Sequence, residues 1–398
     1  MGSAVSLVQR NWKVQNPPEA AKLNKGVLRC GILGAARIAP SALILPAKSH
    51  PEITIHAVAS RDKTKAELFG KKYGIPKVFF GATAYQDMLD DPEIDVVYNP
   101  LPNGLHFEWT LKALKAGKHV LLEKPSTNTE EDTRFLFDYA EKKGLVLLEA
   151  FHPRFHPCIN RIKEIIKSGE LGKLKSITCT LWLPWQAAKM MFNDDDIRFK
   201  IELGGGALMD MGCYPLAMSR YITDAEPLDV ISVQAELFPN PKDDPSKRNI
   251  DIGTTALLSF PNDVTASIAC HCRQPGWGPF GLLPSIPGVI CKAECEGGTV
   301  ETNNYAGPHM YHYITVVPKG DQGKKRVEKA YTFPDGFGEP WWSTYRYQLE
   351  FFVDKVKGRQ PRLWMDGNDS TLNMRWIERI YEKTGLGSRP KSDFNLSE

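Results

Sequence analysis

The 398-residue chain is 42% hydrophobic and 24% charged, an ordinary globular composition with material for two or three domains. Fifty Lys and Arg against 47 Asp and Glu leave a net charge of +3, too even a balance to indicate nucleic acid or a membrane surface, so the expected partners are small molecules. No apolar run approaches the ~20 residues that cross a bilayer, and the eight cysteines lack two well-spaced ligand pairs, so no metal site and a cytoplasmic, thiol-reduced protein are expected.

Residues 1–26 read as a polar N-terminal arm carrying Pro17-Pro18. From residue 27 short apolar strands alternate with amphipathic stretches: strands at 27–33, 53–60, 78–80, 94–99, 119–123 and 146–151, with helices at 63–73 and 130–143. Strands separated by helical segments of this length build β-α-β units and a parallel sheet, which predicts an α/β Rossmann domain, a doubly wound parallel sheet, over residues 27–150.

After His156-Pro157 the pattern changes. A helix at 158–168 precedes β-rich runs at 174–183, 229–237, 254–260, 265–272, 289–296 and 312–317, interrupted by a helix at 205–221 and closed by helices at 345–357 and 368–383. Turn signals such as Pro261-Asn262-Asp263 and Glu296-Gly297-Gly298 favour antiparallel pairing. Residues 151–398 are therefore expected to form an α+β domain with a large, mostly antiparallel open-faced sheet. The Gly/Pro-rich insertion starting at Gln274 is expected to serve as a lid or an interface loop.

Gly31-Ile-Leu-Gly34-Ala-Ala-Arg-Ile-Ala39 follows the first strand, where the backbone N–H groups of Gly34, Ala35, Ala36, Arg37 and Ile38 can face a pyrophosphate. At the end of the second strand stand Ser60, Arg61 and Asp62, with Lys65 one turn on. A hydroxyl and a guanidinium there suit a ribose 2′-phosphate, which favours NADP over NAD; Asp62 would repel that phosphate or hold the ribose, or else Arg61 and Asp62 cap the next helix. Asn99, Pro102, Asn103 and His106 lie where the fourth strand ends under the nicotinamide, with Asn103 expected above all to cap the helix that follows. Glu123-Lys124-Pro125 ends the fifth strand beside the same ligand.

In Gly204-Gly-Gly206-Ala-Leu-Met-Asp210-Met-Gly-Cys-Tyr214 the glycines permit close backbone approach, and Asp210 and Tyr214, four apart, share a helical face. A phenol is a poor proton acceptor near its free pKa of about 10, and the ammonium of Lys124 is expected to lower it, with Asp210 orienting the lysine or a substrate hydroxyl. Lys124, Tyr214 and Asp210 are the catalytic candidates.

These motifs, with Ala-Val-Ala-Ser-Arg-Asp, Pro-Asn-x-x-His and Glu149-Ala-Phe-His-Pro-Arg154-Phe-His156-Pro157, together resemble the glucose–fructose oxidoreductase / inositol dehydrogenase (Gfo/Idh/MocA) family from residue 27 onward. Tyr214 and Asp196-Ile-Arg198 are similar to the branch that holds NADP-dependent D-xylose dehydrogenases and dimeric dihydrodiol dehydrogenases. The resemblance implies hydride transfer between a sugar or cyclic polyol hydroxyl and the nicotinamide, foremost oxidation of an aldose at C1, with Tyr214 taking the hydroxyl proton. It leaves open a dihydrodiol dehydrogenase, a secondary-metabolite carbonyl reductase, cofactor-dependent glycoside hydrolysis and a non-catalytic nucleotide-binding regulator. It also implies a sugar-pocket wall from Arg154, His156, Trp185 and Arg198, and a homodimer through the open sheet face.

Overall fold

The computed structural model describes residues 2–23, 25–239, 243–278, 283, 285–320 and 323–394. Its first sheet is built from β1 (Leu28–Leu33), β2 (Ile53–Ser60), β3 (Lys77–Phe80), β4 (Val96–Asn99), β5 (His119–Leu122) and β6 (Leu147–Glu149). All neighbours are parallel and the order is β3-β2-β1-β4-β5-β6, so the strand order reverses between β1 and β4. A ligand crevice opens at the carboxyl ends of the strands at such a switch point. The sheet is covered on both faces. Ile32, Tyr98 and Leu121 enter a core continuous with the second domain, while Leu33, Val97, Val120 and Leu122 pack under the helices of the opposite face.

Several elements were not legible in the pattern, among them helix Trp185–Met191, strand Arg326–Glu328 and two further helices. Helix Ala84–Asp90 buries Ala84, Tyr85, Met88 and Leu89 in seven residues, too short a run to show a 3.6-residue period. The N-terminal arm is helical over Gly2–Gln15, and it docks on the second domain: the Arg10 guanidinium lies 3.8 Å from the Tyr331 ring centre and donates to the Tyr331 hydroxyl, and Asn11 donates to the carbonyl of Met310.

The second sheet has eight strands: β7 (Leu174–Pro184), β8 (Asp229–Leu237), β9 (Asp251–Phe260), β10 (Val264–Gln274), β11 (Gly288–Cys295), β12 (Gly298–Asn303), β13 (Ile314–Pro318) and β14 (Arg326–Glu328). The order is β14-β13-β12-β11-β7-β10-β9-β8, and every pair is antiparallel except β7 with β10. Along β9 and β10, Ala256, Leu258, Phe260, Ala266, Ile268 and Cys270 point into the core while the alternate residues remain largely half-exposed, leaving one open face. Helices Pro157–Lys167, Cys213–Thr223 and Gly367–Thr384 supply buried side chains to this core. Much of the expected lid or interface insertion, residues 279–282 and 284, lies outside the described residues. Among the described residues, no helix is long and apolar enough to cross a membrane.

Candidate active site

β5 delivers Lys124 to the crevice. The helix expected at 205–221 brings Asp210 and Tyr214 to meet it, but not as a regular α-helix: Leu208–Gly212 is a π-helical turn and Cys213–Thr223 is α-helical. Such turns recur at functional sites because one extra residue per turn re-aims the side chains. The turn is pinned from outside. Buried Asp251 accepts from the Leu208 N–H at 2.8 Å, from Tyr381 at 2.8 Å and from Arg389 at 2.8 Å. Gly206, at φ +132°, passes this cluster so closely that a Cβ would sit 2.3 Å from the Asp251 carboxylate, and no L side chain fits there.

Lys124 Nζ donates to Asp210 Oδ1 at 2.9 Å and to the Asp210 carbonyl at 2.8 Å. Asp210 Oδ2 accepts from Arg198 Nε at 2.7 Å, and Arg198 in turn donates to Asp196 Oδ1 at 2.9 Å. Burial alone would raise the Asp210 carboxyl, yet Arg198 and Lys124 outweigh it and hold Asp210 well below the usual carboxylate range. Burial likewise opposes the Lys124 charge, but Asp210 more than compensates and the ammonium is held above the ordinary lysine range.

Tyr214 departs from expectation. Lys124 Nζ lies over the ring, 5.2 Å from its centre, and is engaged with Asp210. Burial therefore dominates: the phenol is pushed well above its ordinary value and stays protonated instead of being lowered by the lysine. Its oxygen lies 3.3 Å from His152 Nε2.

On the cofactor side, Gly34 adopts φ +85° and donates to the Ala59 carbonyl at 2.7 Å, ending β1 in a tight turn. Among the described residues, the backbone N–H groups of Ala35, Ala36, Arg37 and Ile38 have no partner, and these residues are half-buried or exposed. A run of free amides at the switch point fits a dinucleotide pyrophosphate. The side chain of Asp62 accepts from the Lys65 N–H at 3.0 Å as the cap of helix Lys63–Tyr73. Ser60 is buried, while Arg61 is exposed at the end of β2, with its guanidinium interacting with the Tyr85 phenol.

Several candidates prove to shape the site without lining it. Asn99 is fully buried and donates to Thr110. His106 is buried between the carbonyls of Pro125 and Leu101, at 2.9 and 2.7 Å, tying the β4 turn to the Lys124 segment. Glu123 turns inward, accepting from the Tyr98 hydroxyl at 2.6 Å. Asn103 does not cap the following helix, His106–Lys115: Leu105 holds that position, and the Asn103 amide donates across the domain boundary to the Gly204 carbonyl at 3.2 Å.

Of the four expected pocket residues, Arg198 joins the charged cluster. Arg154 pairs with Asp369 and lies 4.1 Å from the Tyr221 ring centre, beside a narrow cleft of about 10 Å³ that Tyr214 and Tyr305 also line. Trp185 opens helix Trp185–Met191, whose Met191 carbonyl accepts from Arg37 of the dinucleotide turn. His156 is fully buried, its Nδ1 capping helix Pro157–Lys167 through the Cys158 N–H, and so does not face a pocket. The residue facing Tyr214 is His152, in the same Glu-Ala-Phe-His run; the His152–Phe155 3₁₀ turn decides which histidine points where.

The profile of an oxidoreductase family with an NAD-binding Rossmann fold matches residues 28–151, and that of the GFO/IDH/MocA C-terminal domain matches residues 159–281. The chain is 31% identical over 329 residues to dTDP-3,4-didehydro-2,6-dideoxy-alpha-D-glucose 3-reductase of Saccharopolyspora spinosa, covering 83% of this chain and 82% of that protein. It is 30% identical over 366 residues to the NADP(+) D-xylose 1-dehydrogenase 2 of Haloferax volcanii, covering 91% of this chain and 99% of that protein. The crystal structure of a 3-ketoreductase from Actinomadura kijaniata, solved with NADP and TDP-benzene, superimposes with a TM-score of 0.72 at 25% identity, covering 90% of this chain and 98% of that one. With both domains matched in order, the chain belongs to the Gfo/Idh/MocA family and is an NAD(P)-dependent oxidoreductase acting on CH–OH groups.

Proposed function

We propose that the protein is an NADP-dependent aldose dehydrogenase that oxidises the C1 hydroxyl of a cyclic sugar to its lactone. The observation that carries this reading is the Lys124–Asp210–Arg198 cluster at the end of β5, beside the neutral phenol of Tyr214. Nicotinamide, when bound, accepts the hydride. Lys124 fixes the substrate hydroxyl, Tyr214 takes its proton as the phenol's own proton passes to His152 Nε2, 3.3 Å away, and Asp210 and Arg198 hold Lys124 in place. General acid–base help of this kind contributes roughly 10²–10⁴-fold.

Support for NADP comes from the end of β2. Asp62 is turned back onto its own helix, so its carboxylate is not offered to a ribose 2′-hydroxyl, and Arg61 and Lys65 are exposed beside it. The half-exposed face of the second sheet is the surface proposed to pair two copies of the chain.

A second reading, reduction of a keto-sugar, is favoured by one feature: a phenol kept protonated by burial is suited to donating to a carbonyl, and two of the relatives above are named as reductases of that kind. The test follows nicotinamide absorbance with NADP⁺ and NAD⁺ against aldoses, polyols and trans-dihydrodiols, and with NADPH against keto-sugar nucleotides, with Lys124→Ala and Tyr214→Phe in parallel. Turnover of an aldose with NADP⁺, lost in both variants, is the expected result. Turnover confined to the NADPH arm overturns the dehydrogenase reading, and nucleotide binding without any turnover overturns both.

A further inference from the structure

Tyr214 stands at one end of a line of buried side chains that leads away from the crevice. Its hydroxyl is 3.3 Å from His152 Nε2; His152 Nδ1 is 2.8 Å from Thr344 Oγ1; Thr344 Oγ1 is 3.4 Å from His309 Nδ1. His152 and Thr344 are buried, and the His152 ring is clamped against Tyr345 with centres 4.0 Å apart. His309, at the other end, lines a small cavity of about 50 Å³ between the N-terminal segment and helix Thr344–Val356, lined also by the exposed Gln15 and Ser41.

We propose that His152, Thr344 and His309 are a proton relay connecting Tyr214 to solvent in that cavity. The inference rests on Tyr214 being the group that accepts the substrate proton.

The polarity of the line is set at its far end. The backbone N–H of Thr344 also donates to His309 Nδ1, at 3.4 Å, which makes that nitrogen an acceptor and puts the His309 proton on Nε2. The Thr344 hydroxyl then donates to His309, so its oxygen accepts from His152 Nδ1–H. That leaves His152 Nε2 as the acceptor for the Tyr214 hydroxyl. Every bond therefore points from the phenol outward, the sense needed to discharge a proton during oxidation.

The step balances. The substrate C–H leaves as hydride, with its electron pair, to the oxidised nicotinamide. The substrate hydroxyl proton goes to Tyr214 as the tyrosine proton goes to His152 Nε2, the Nδ1 proton to Thr344, the threonine proton to His309 Nδ1, and the His309 Nε2 proton to water. No residue changes charge. Burial holds His309 down to about 4 and His152 well below the ordinary histidine range, with His309 and Lys124 adding to the effect on His152, so neither ring stores the proton as a resting cation. Each passage leaves His152 protonated on Nε2 and His309 on Nδ1, and the reverse passage restores both: a proton enters at His309 Nε2 from water and one leaves Tyr214, either to the alkoxide during reduction or to water in the crevice once the product has gone.

The relay makes Thr344 and His309 positioning and transfer residues for the reaction without contact to the substrate. Two measurements test it. In the full-length protein with ¹⁵N-labelled histidine, His152 is expected as the Nδ1–H tautomer and His309 as the Nε2–H tautomer; the opposite assignment for either overturns the relay. In turnover with NADP⁺ and the best substrate of the panel, Thr344→Val is expected to lower kcat about tenfold or more, leave the KM for NADP⁺ unchanged and straighten the curved dependence of rate on deuterium fraction, while Thr344→Ser retains all three wild-type values. His309→Ala is expected to be slow and partly restored by added imidazole. Full activity in Tyr214→Phe overturns the tyrosine reading itself. Loss in Tyr214→Phe with wild-type kcat and isotope curve in Thr344→Val overturns the relay alone.

Discussion

Lys124 Nζ is held by Asp210 twice, through the carboxylate at 2.9 Å and the carbonyl at 2.8 Å, so the end of β5 and the π turn are fixed to each other by one ammonium. The carboxylate serves Arg198 as well, at 2.7 Å on its other oxygen.

Asp210→Asn keeps the shape but leaves two part-buried cations facing each other. Removing one partner of a buried pair costs about 3–5 kcal/mol, and the loss in urea midpoint is expected at the lower end because both side chains keep some exposure to water, 14% for Lys124 and 17% for Asp210. The pH dependence has a definite sign. The folded-state pKa of Asp210 is depressed, so its contribution is fully present above the unfolded carboxyl value near 4 and is lost as pH falls below it. Wild type should lose stability on acidification more steeply than Asp210→Asn; parallel curves would contradict the charge network.

Glu149 is expected to behave in the opposite sense. It is buried, its Oε1 accepts from the Ser126 N–H at 3.0 Å, and burial pushes its carboxyl up to about 7. Between the unfolded value near 4 and about 7 the folded protein holds a proton that the unfolded chain has released, so stability falls as pH rises. Glu149→Gln preserves the acceptor and removes the titration. It should be more stable than wild type near roughly pH 8, on the order of 3–4 kcal/mol, with the advantage vanishing near roughly pH 4. Urea titrations at the two ends measure it.

Arg61→Ala tests the cofactor preference. A hydrogen bond to a charged group contributes about 1.5–3 kcal/mol, so the Kd for NADP⁺ should rise roughly 10–100-fold while that for NAD⁺ changes little. Calorimetric titration of both nucleotides gives the ratio, and equal weakening would remove the 2′-phosphate role.

Asp251→Asn attacks the support of the π turn that carries Asp210. Asp251 and Arg389 form a fully buried pair at 2.8 Å, and Asp251 also receives the Leu208 N–H. A loss of about 3–5 kcal/mol is expected in chemical denaturation, with kcat reduced at temperatures where the variant remains folded.

The amino-acid sequence by itself determined the doubly wound sheet, because strands buried on both faces read as continuous apolar runs and their helices carry a 3.6-residue period. It also singled out Lys124, Asp210 and Tyr214 as candidates, which the fold brings together, since the glycine turn and the strand-end lysine are local features with local causes. It could not say that Lys124 would spend its hydrogen bonds on Asp210 and leave the phenol protonated, because that balance of burial against charge exists only once the domains are packed together. Nor could it separate His152 from His156, four positions apart in one motif: one meets Tyr214 and Thr344, the latter 192 residues away, and the other caps a helix. Local periodicity is written in neighbouring residues, whereas hydrogen-bond partners across hundreds of positions are chosen by the tertiary fold, which alone sets distance, burial and which way a proton can move.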